Sequence, residues 1–196
     1  MTPSTTTIDA LAAALLLTKA EHAHLRALVK NGDHKPFVRE TVLPAIRRLV
    51  EGLPHPAYVT GRRWDILAWS PSAAGLFGDF ARVTEADRNI LVFMLLDPRA
   101  RRIFVDGWAA EAKRMIAVFR ATYDLWALDP SFRALYERLL AGCPELAAWW
   151  DDHDVRSVAS GTKRLRHPRN GVHMFEHVSF QANDDPALKL VIYTAI

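Results

Sequence analysis

The Asn170-Gly171 pair is the feature that most constrains the fold, because it lies between two strand-like segments, "VASGTKRLRH" and "GVHMFEHVSFQA". Asn-Gly between such segments is the strongest short signal for a β-hairpin, since both residues tolerate a positive φ. A second turn, "ANDDPA", leads into an apolar segment, "LKLVIYTAI", that suits a central strand. Residues 158–196 therefore predict an antiparallel meander.

An earlier hairpin is predicted in "AYVTGRRWDILAWS". Its turn is expected at residues 61–63, and the alternation after the turn places Trp64, Ile66 and Ala68 on one face of the second strand. Two hairpins separated by helical sequence are typical of an antiparallel sheet in an α+β fold.

Helical signals dominate the rest of the chain. Thr18 and Glu21 form a capping box at the start of one helix, and residues 8–17 predict a shorter helix before it. Residues 37–53 predict a helix that Pro44 would kink. The longest predicted helix covers residues 106–128 and carries one apolar stripe.

Together these patterns predict an α+β domain, preceded by a short helical N-terminal segment. The turn-rich stretch "NGDHKP" separates the two, so we expect a helical segment at residues 1–33 and the main domain at 34–196.

Composition excludes several classes of protein. Half of the 196 residues are hydrophobic, which suits one well-packed domain, and a net charge of +3 is too small to indicate nucleic-acid binding. Cys143 is the only cysteine, so an intramolecular disulfide and a cysteine-based zinc cluster are excluded. No apolar run approaches the roughly 20 residues of a membrane span. We therefore expect a cytoplasmic protein with no membrane partner.

His173-Met174-Phe175-Glu176-His177 matches the H-x-x-E-H pattern of a class of zinc peptidases. That chemistry needs both histidines on one turn of a helix, whereas the Asn-Gly turn places them on a strand. Strand positions i and i+4 are about 13 Å apart, too far for two histidines to bind one zinc ion at about 2 Å. Zinc catalysis is therefore a remote alternative, and no metal or other cofactor is expected.

Other motifs offer no catalytic set. "HDVR" at residues 153–156 lacks an accompanying nucleophile, and "TKRLRHPR" at 162–169 fits a solvated hairpin face. The residues thus predict a domain that is not an enzyme. Its aromatic interior is compatible with a pocket for an apolar ligand and with a packed core.

Several segments in their order and spacing closely resemble the C-terminal domain of MmyB/MltR-like transcription regulators. They are "RRWDILAWSPSAAGLFGDF", "DRNILVFMLLDPRARRIF", "CPELAAWWDDHDVRSVASGTKRLRHPRNG" and "DDPALKLVIYTA". Members of this bacterial family join an XRE-type helix-turn-helix to a ligand-binding domain, and the resemblance covers about residues 37–196.

The resemblance implies a PAS-like fold, an antiparallel sheet and helices around an apolar cavity, with a fatty acid or similar small molecule as ligand. The candidate cavity residues, each equally compatible with plain core, are Trp64, Trp69, Phe93, Phe104, Trp108, Met115 and Phe119. Arg156 and Arg166 are candidates for a carboxylate head group, because guanidinium pairs with carboxylate bidentately. Each arginine also fits an ordinary ion pair.

Residues 1–33 resemble only the last two helices of the family's helix-turn-helix domain. We therefore expect DNA to be bound only if a longer chain or a partner supplies the recognition helix. As a regulator domain of this family, the protein is also expected to form a homodimer. The alternative function is a dimerisation module whose PAS-like core is filled and binds no ligand.

Overall fold

A computed structural model describes residues 3–30, 36–151 and 161–196 of the chain. Within these ranges the protein has the expected α+β fold, in which helices surround one antiparallel sheet. The helical N-terminal segment is also confirmed, as a pair of helices with the predicted capping box. The backbone nitrogen of Thr18 donates to Glu21 Oε2 at 2.7 Å.

The sheet has five described strands in the order β2-β1-β5-β4-β3, and every neighbouring pair is antiparallel. The strands are β1 Ala57–Thr60, β2 Ile66–Trp69, β3 Gly161–His167, β4 Gly171–Gln181 and β5 Lys189–Ala195. As predicted, the last apolar strand, β5, is central in the sheet. It pairs with β1 of the early hairpin and with β4 of the late hairpin.

The late hairpin is confirmed. His167 pairs with Gly171 across a three-residue loop, and Gly171 adopts φ 84°. A glycine is favoured there because an L side chain rarely adopts that φ.

The early hairpin contains a β-bulge that breaks the predicted alternation. Tyr58 pairs with Trp69 and Val59 with Ala68, but the register shifts before Thr60 pairs with Ile66. Ile66 and Trp69 consequently pack into the main core, whereas Ala68 packs on the opposite side of the sheet. The prediction that Ile66 and Ala68 share a face is wrong, because the bulge inserts one residue between them.

The described helices lie on both faces of the sheet. They are α1 Thr5–Ala14, α2 Lys19–Lys30, α3 Pro44–Glu51, α4 Pro71–Phe77, α5 Ile90–Leu96, α6 Pro98–Ile103, α7 Trp108–Trp126, α8 Pro130–Gly142 and α9 Leu146–Asp151. Helix α7 is the predicted long helix. No helix in the described ranges is both long and apolar enough to cross a membrane.

The helix predicted over residues 37–53 is wrong in its first half. Leu43 adopts an extended backbone (ψ 141°), and Pro44 is the first residue of α3 rather than a kink. Proline disfavours helical backbone at the preceding residue and lacks the N–H group that helix positions beyond the first turn donate. Residues 36–43 therefore form no helix, and Phe37 packs edge-on against Phe132 of α8.

Two apolar clusters lie on opposite faces of the sheet. The larger fills the space between the inner face and helices α4–α9, and the smaller lies under α3, around Val50, Val59 and Leu188. On β4, Phe175 and His177 point into the larger cluster, while Met174 and Phe180 are exposed. Glu176 is exposed on the outer face of the same strand.

Candidate ligand cavity

A cavity of about 50 Å³ lies between α7 and the inner face of the sheet. Strands β1, β4 and β5 form one wall, and α7 with parts of α4 and α5 forms the other. Its lining residues are Tyr58, Thr60, Trp64, Phe77, Ile90, Met94, Phe104, Glu111, Arg114, Met115, Val118, His177, Ser179, Lys189, Val191 and Tyr193.

The strand residues reach this cavity because of the period-2 alternation of side chains. Val191 pairs with Tyr58 on one side and with Ser179 on the other, so these three side chains lie in one row across the sheet. On α7, residues 111, 114, 115 and 118 line the cavity because positions three and four apart share a helical face.

One end of the cavity holds a buried ion cluster. Arg114 donates to Glu111 through two nitrogens, with Nη2 to Oε1 at 2.6 Å, and Lys163 of β3 forms a salt bridge with the same carboxylate. Burial disfavours the charge of Glu111, but the arginine hydrogen bonds and the lysine outweigh it and lower the pKa of Glu111. Burial also lowers the pKa of Lys163 despite its partner.

The sheet side of the cavity carries neutral polar groups. Burial raises the pKa of Tyr58 to about 12 and raises that of Tyr193 well above its ordinary value, so both phenols stay protonated. Burial lowers the pKa of His177, whose Nδ1 lies 2.8 Å from the carbonyl oxygen of Gly161. These groups offer hydrogen bonds to a ligand without adding charge at neutral pH.

At the other end, Thr60, Trp64 and Lys189 separate the cavity from an outer groove of about 310 Å³. The groove continues along α7 past Thr122, Leu125 and Trp126. We call the boundary formed by Thr60, Trp64 and Lys189 the cavity mouth.

Trp64 at the mouth has a strained backbone. Its φ is 67°, a region that bulky residues rarely occupy. Two backbone hydrogen bonds hold it there, from its own nitrogen to Gly61 and from Ile90 to its carbonyl oxygen, both at 3.0 Å. Its ring packs edge-on against Phe119, with centroids 5.9 Å apart. Strained residues cluster at ligand-binding positions, which makes the mouth a functional candidate.

The apolar candidates predicted from the sequence fall into two groups, those that line the cavity and those that pack in the core around it. Trp64, Phe104 and Met115 line the cavity, whereas Trp69, Phe93, Trp108 and Phe119 belong to the surrounding core. Trp108 illustrates the second group: its indole nitrogen donates to the carbonyl oxygen of Met94 at 2.8 Å, and Arg101 covers its ring.

Of the two candidate arginines, the structure describes only Arg166, which does not line the cavity. Arg166 is exposed on the outer face of β3, and Arg156, like the "HDVR" motif, lies outside the described residues. His173 is exposed and His177 is buried, and the described parts of the chain contain no cluster of three or more residues that would hold a metal ion.

Sequence reasoning missed the polar lining, above all Glu111, Arg114 and Lys189. Two signals were available. Glu111 and Arg114 interrupt the helical face that carries Met115, and Lys189 is the one charge within the apolar strand β5. A charge in the middle of an apolar pattern is costly unless a partner or a ligand meets it.

A family model described as "MmyB-like transcription regulator ligand binding domain" matches residues 42–196. A comparison with curated proteins found no match.

Proposed function

Because the chain belongs to the family of MmyB-like transcription regulator ligand binding domains, we propose that it is the sensor domain of a bacterial helix-turn-helix regulator. We further propose that its ligand is a fatty acid or a similar small apolar molecule, which it binds without transforming. The observation that carries this ligand class is the apolar cavity beside α7, which has a mouth leading to an open groove.

The cavity is smaller than a typical ligand pocket of about 300–1,000 Å³. Its 50 Å³ holds only a few water molecules. However, Met94 of α5 and Met115 of α7 both line it, and methionine side chains repack easily because they are unbranched and flexible. We infer that an acyl tail enters from the groove and displaces these side chains, which moves α7 away from the sheet.

Movement of α7 would reach the N-terminal helices directly. Asp124 of α7 lies 3.4 Å from His24 of α2, measured from Oδ2 to Nε2. We propose that α1 and α2 correspond to the last helices of the family's helix-turn-helix domain, with the sensor domain from residue 34. A ligand that favours one position of α7 would then shift the population of α2 positions.

The ligand assignment is tested with protein purified from cells and extracted with organic solvent. Mass spectrometry of the extract should detect a fatty acid or related lipid. The delipidated protein should show a higher Tm after addition of C12–C18 acids. If the extract contains no lipid and no acid raises the Tm, the assignment is wrong.

A pair of variants on α7 tests whether the cavity is the site. Val118→Phe adds bulk inside the cavity and should abolish the Tm increase. Ala110→Phe adds the same group at an exposed position of α7 and should leave the Tm increase unchanged. Equal effects of the two variants would contradict binding in the cavity.

The second candidate function is an interaction module that forms a homodimer and binds no ligand. The small volume of the cavity favours this function, because a nearly filled core leaves little room for a ligand. It predicts a constant Tm with every acid and a dimer in light scattering that depends on residues 1–50.

A further inference from the structure

The side chains around the cavity carry an excess of positive charge. Among the described residues that line the cavity there are two cations, Arg114 and Lys189, and one carboxylate, that of Glu111. A third cation, Lys163, contacts Glu111 from β3. His177 does not change this balance at neutral pH, because burial lowers its pKa.

The two cations at the inner end share Glu111 as their counter-ion. Arg114 and Lys163 both contact its carboxylate, and all three side chains are at least three-quarters buried, with 24%, 8% and 13% exposure for Arg114, Lys163 and Glu111. A new anion at this end would have to compete with an existing ion pair, which is unfavourable.

Lys189 has no such partner. It lies in the row between Thr60 and Gln181 at the mouth, and its Nζ is 5.9 Å from the centroid of the Trp64 ring. No carboxylate in the described ranges forms a salt bridge with it, and its electrostatic neighbour is the cation Arg114. Burying an ammonium group without a counter-ion is energetically unfavourable. The positive charge of Lys189 at the mouth is therefore not neutralised by the described residues.

We propose that Lys189 binds the anionic group of the ligand, so that a carboxylate lies at the mouth beside Trp64 and the apolar tail extends inward along α7. This inference rests on the proposed function and adds the orientation of the ligand and the residue that selects its charge. It replaces Arg166 in that role, since Arg166 lies on the outer face of the sheet.

The position of the mouth supports this orientation. The inner cavity beyond it is lined by Phe77, Met94, Phe104 and Met115, which suit a tail, while the groove outside is open to water. A ligand bound tail-first keeps its carboxylate partly hydrated and paired with Lys189. The reverse orientation would place the tail in the groove and a second anion near Glu111.

The test compares two probes that share a tail, tetradecanoic acid and tetradecan-1-ol, by titration into the delipidated full chain. The wild type should bind the acid about 10-fold more tightly than the alcohol, as expected for a charge-assisted hydrogen bond. Lys189→Met should remove this preference by weakening acid binding alone. Lys189→Arg should restore it, and Arg166→Met should leave it unchanged.

Failure of this inference differs from failure of the proposed function. If wild-type protein binds acid and alcohol equally, or Lys189→Met keeps the preference for acid, Lys189 does not bind the anion and the proposed function stands. If the wild type binds neither probe, the proposed function itself fails. Retained alcohol binding by Lys189→Met shows that the variant is folded.

Discussion

The side-chain amide nitrogen of Asn89 lies 3.1 Å from Oδ1 of Asp65, and both residues are almost fully buried. The same amide donates to the carbonyl oxygen of Arg63 at 2.8 Å, while Oδ1 of Asn89 accepts from the backbone nitrogen of Leu91. Asn89 thus ties the turn of the early hairpin to the start of α5. Trp64 next to this turn and Ile90 and Met94 of α5 line the cavity, so this contact holds the cavity mouth against α5.

Asn89→Ala should lower the free energy of unfolding by about 3 kcal/mol, because it removes a helix cap and leaves the buried Asp65 with one donor fewer. Urea unfolding followed by circular dichroism measures the change. Thr84→Ala is the matched control, since Thr84 caps an exposed turn and its loss should cost less than about 1 kcal/mol. Equal losses would show that Asn89 acts only as a cap.

Gly78→Ala should lower the free energy of unfolding by about 1–2 kcal/mol. Gly78 ends α4 with φ 101°, and a Cβ atom there would lie 2.1 Å from Nη1 of Arg99. Gly107→Ala is the control, because Gly107 has φ −87° and a Cβ atom would meet nothing within 4 Å. Thermal unfolding of the two variants should separate them, and a Gly107→Ala loss as large as that of Gly78→Ala would refute the explanation.

Lys189→Met should raise the free energy of unfolding of the ligand-free protein at neutral pH by about 1 kcal/mol. Burial, with a further contribution from Arg114, lowers the pKa of Lys189 below its ordinary value of 10.5. The folded state therefore binds fewer protons than the unfolded state between these two pKa values. Below its folded-state pKa, Lys189 is charged and lowers the free energy of unfolding. This destabilisation diminishes as the pH rises towards 10.5.

Urea unfolding at neutral and alkaline pH measures this effect, and the gain from Lys189→Met should shrink at the higher pH. Arg166→Met, at an exposed position on the same sheet, should change stability by less than about 0.5 kcal/mol. A destabilised Lys189→Met variant would show that the contact with Trp64 outweighs the cost of the unpaired charge.

Asp124→Asn should accelerate amide hydrogen exchange in α2 by up to about fivefold, because a partly exposed side-chain contact of this kind contributes at most about 1 kcal/mol. The pair with His24 is the contact concerned. Arg47→Gln, which removes the exposed pair with Glu51 on α3, should leave exchange in α2 unchanged. If exchange in α2 is unchanged in Asp124→Asn, the contact between Asp124 and His24 does not couple the cavity to the N-terminal helices.

The hairpins, the central position of β5 and the long helix α7 were predictable, because each depends on short-range signals. Asn170-Gly171 specifies a tight turn, and an uninterrupted apolar strand needs cover on both faces. The start of α3 was equally local, and the prediction failed there because Pro44 was interpreted as a kink rather than as a first residue. The bulge after Val59 was not predictable, since it depends on how β1 pairs with two neighbours at once.

The sequence by itself determined the fold class and the supply of aromatic and methionine side chains for an apolar interior. Only the tertiary structure decided which of them line a cavity: Trp64, Phe104 and Met115 do so, while Trp69 and Phe119 pack elsewhere. It also brought Glu111 to Lys163, 52 residues further along the chain, and left Lys189 without a carboxylate among the described residues. The physical reason is that periodicity specifies the face a side chain occupies, whereas the partner it meets there depends on how helices and strands distant in sequence pack together.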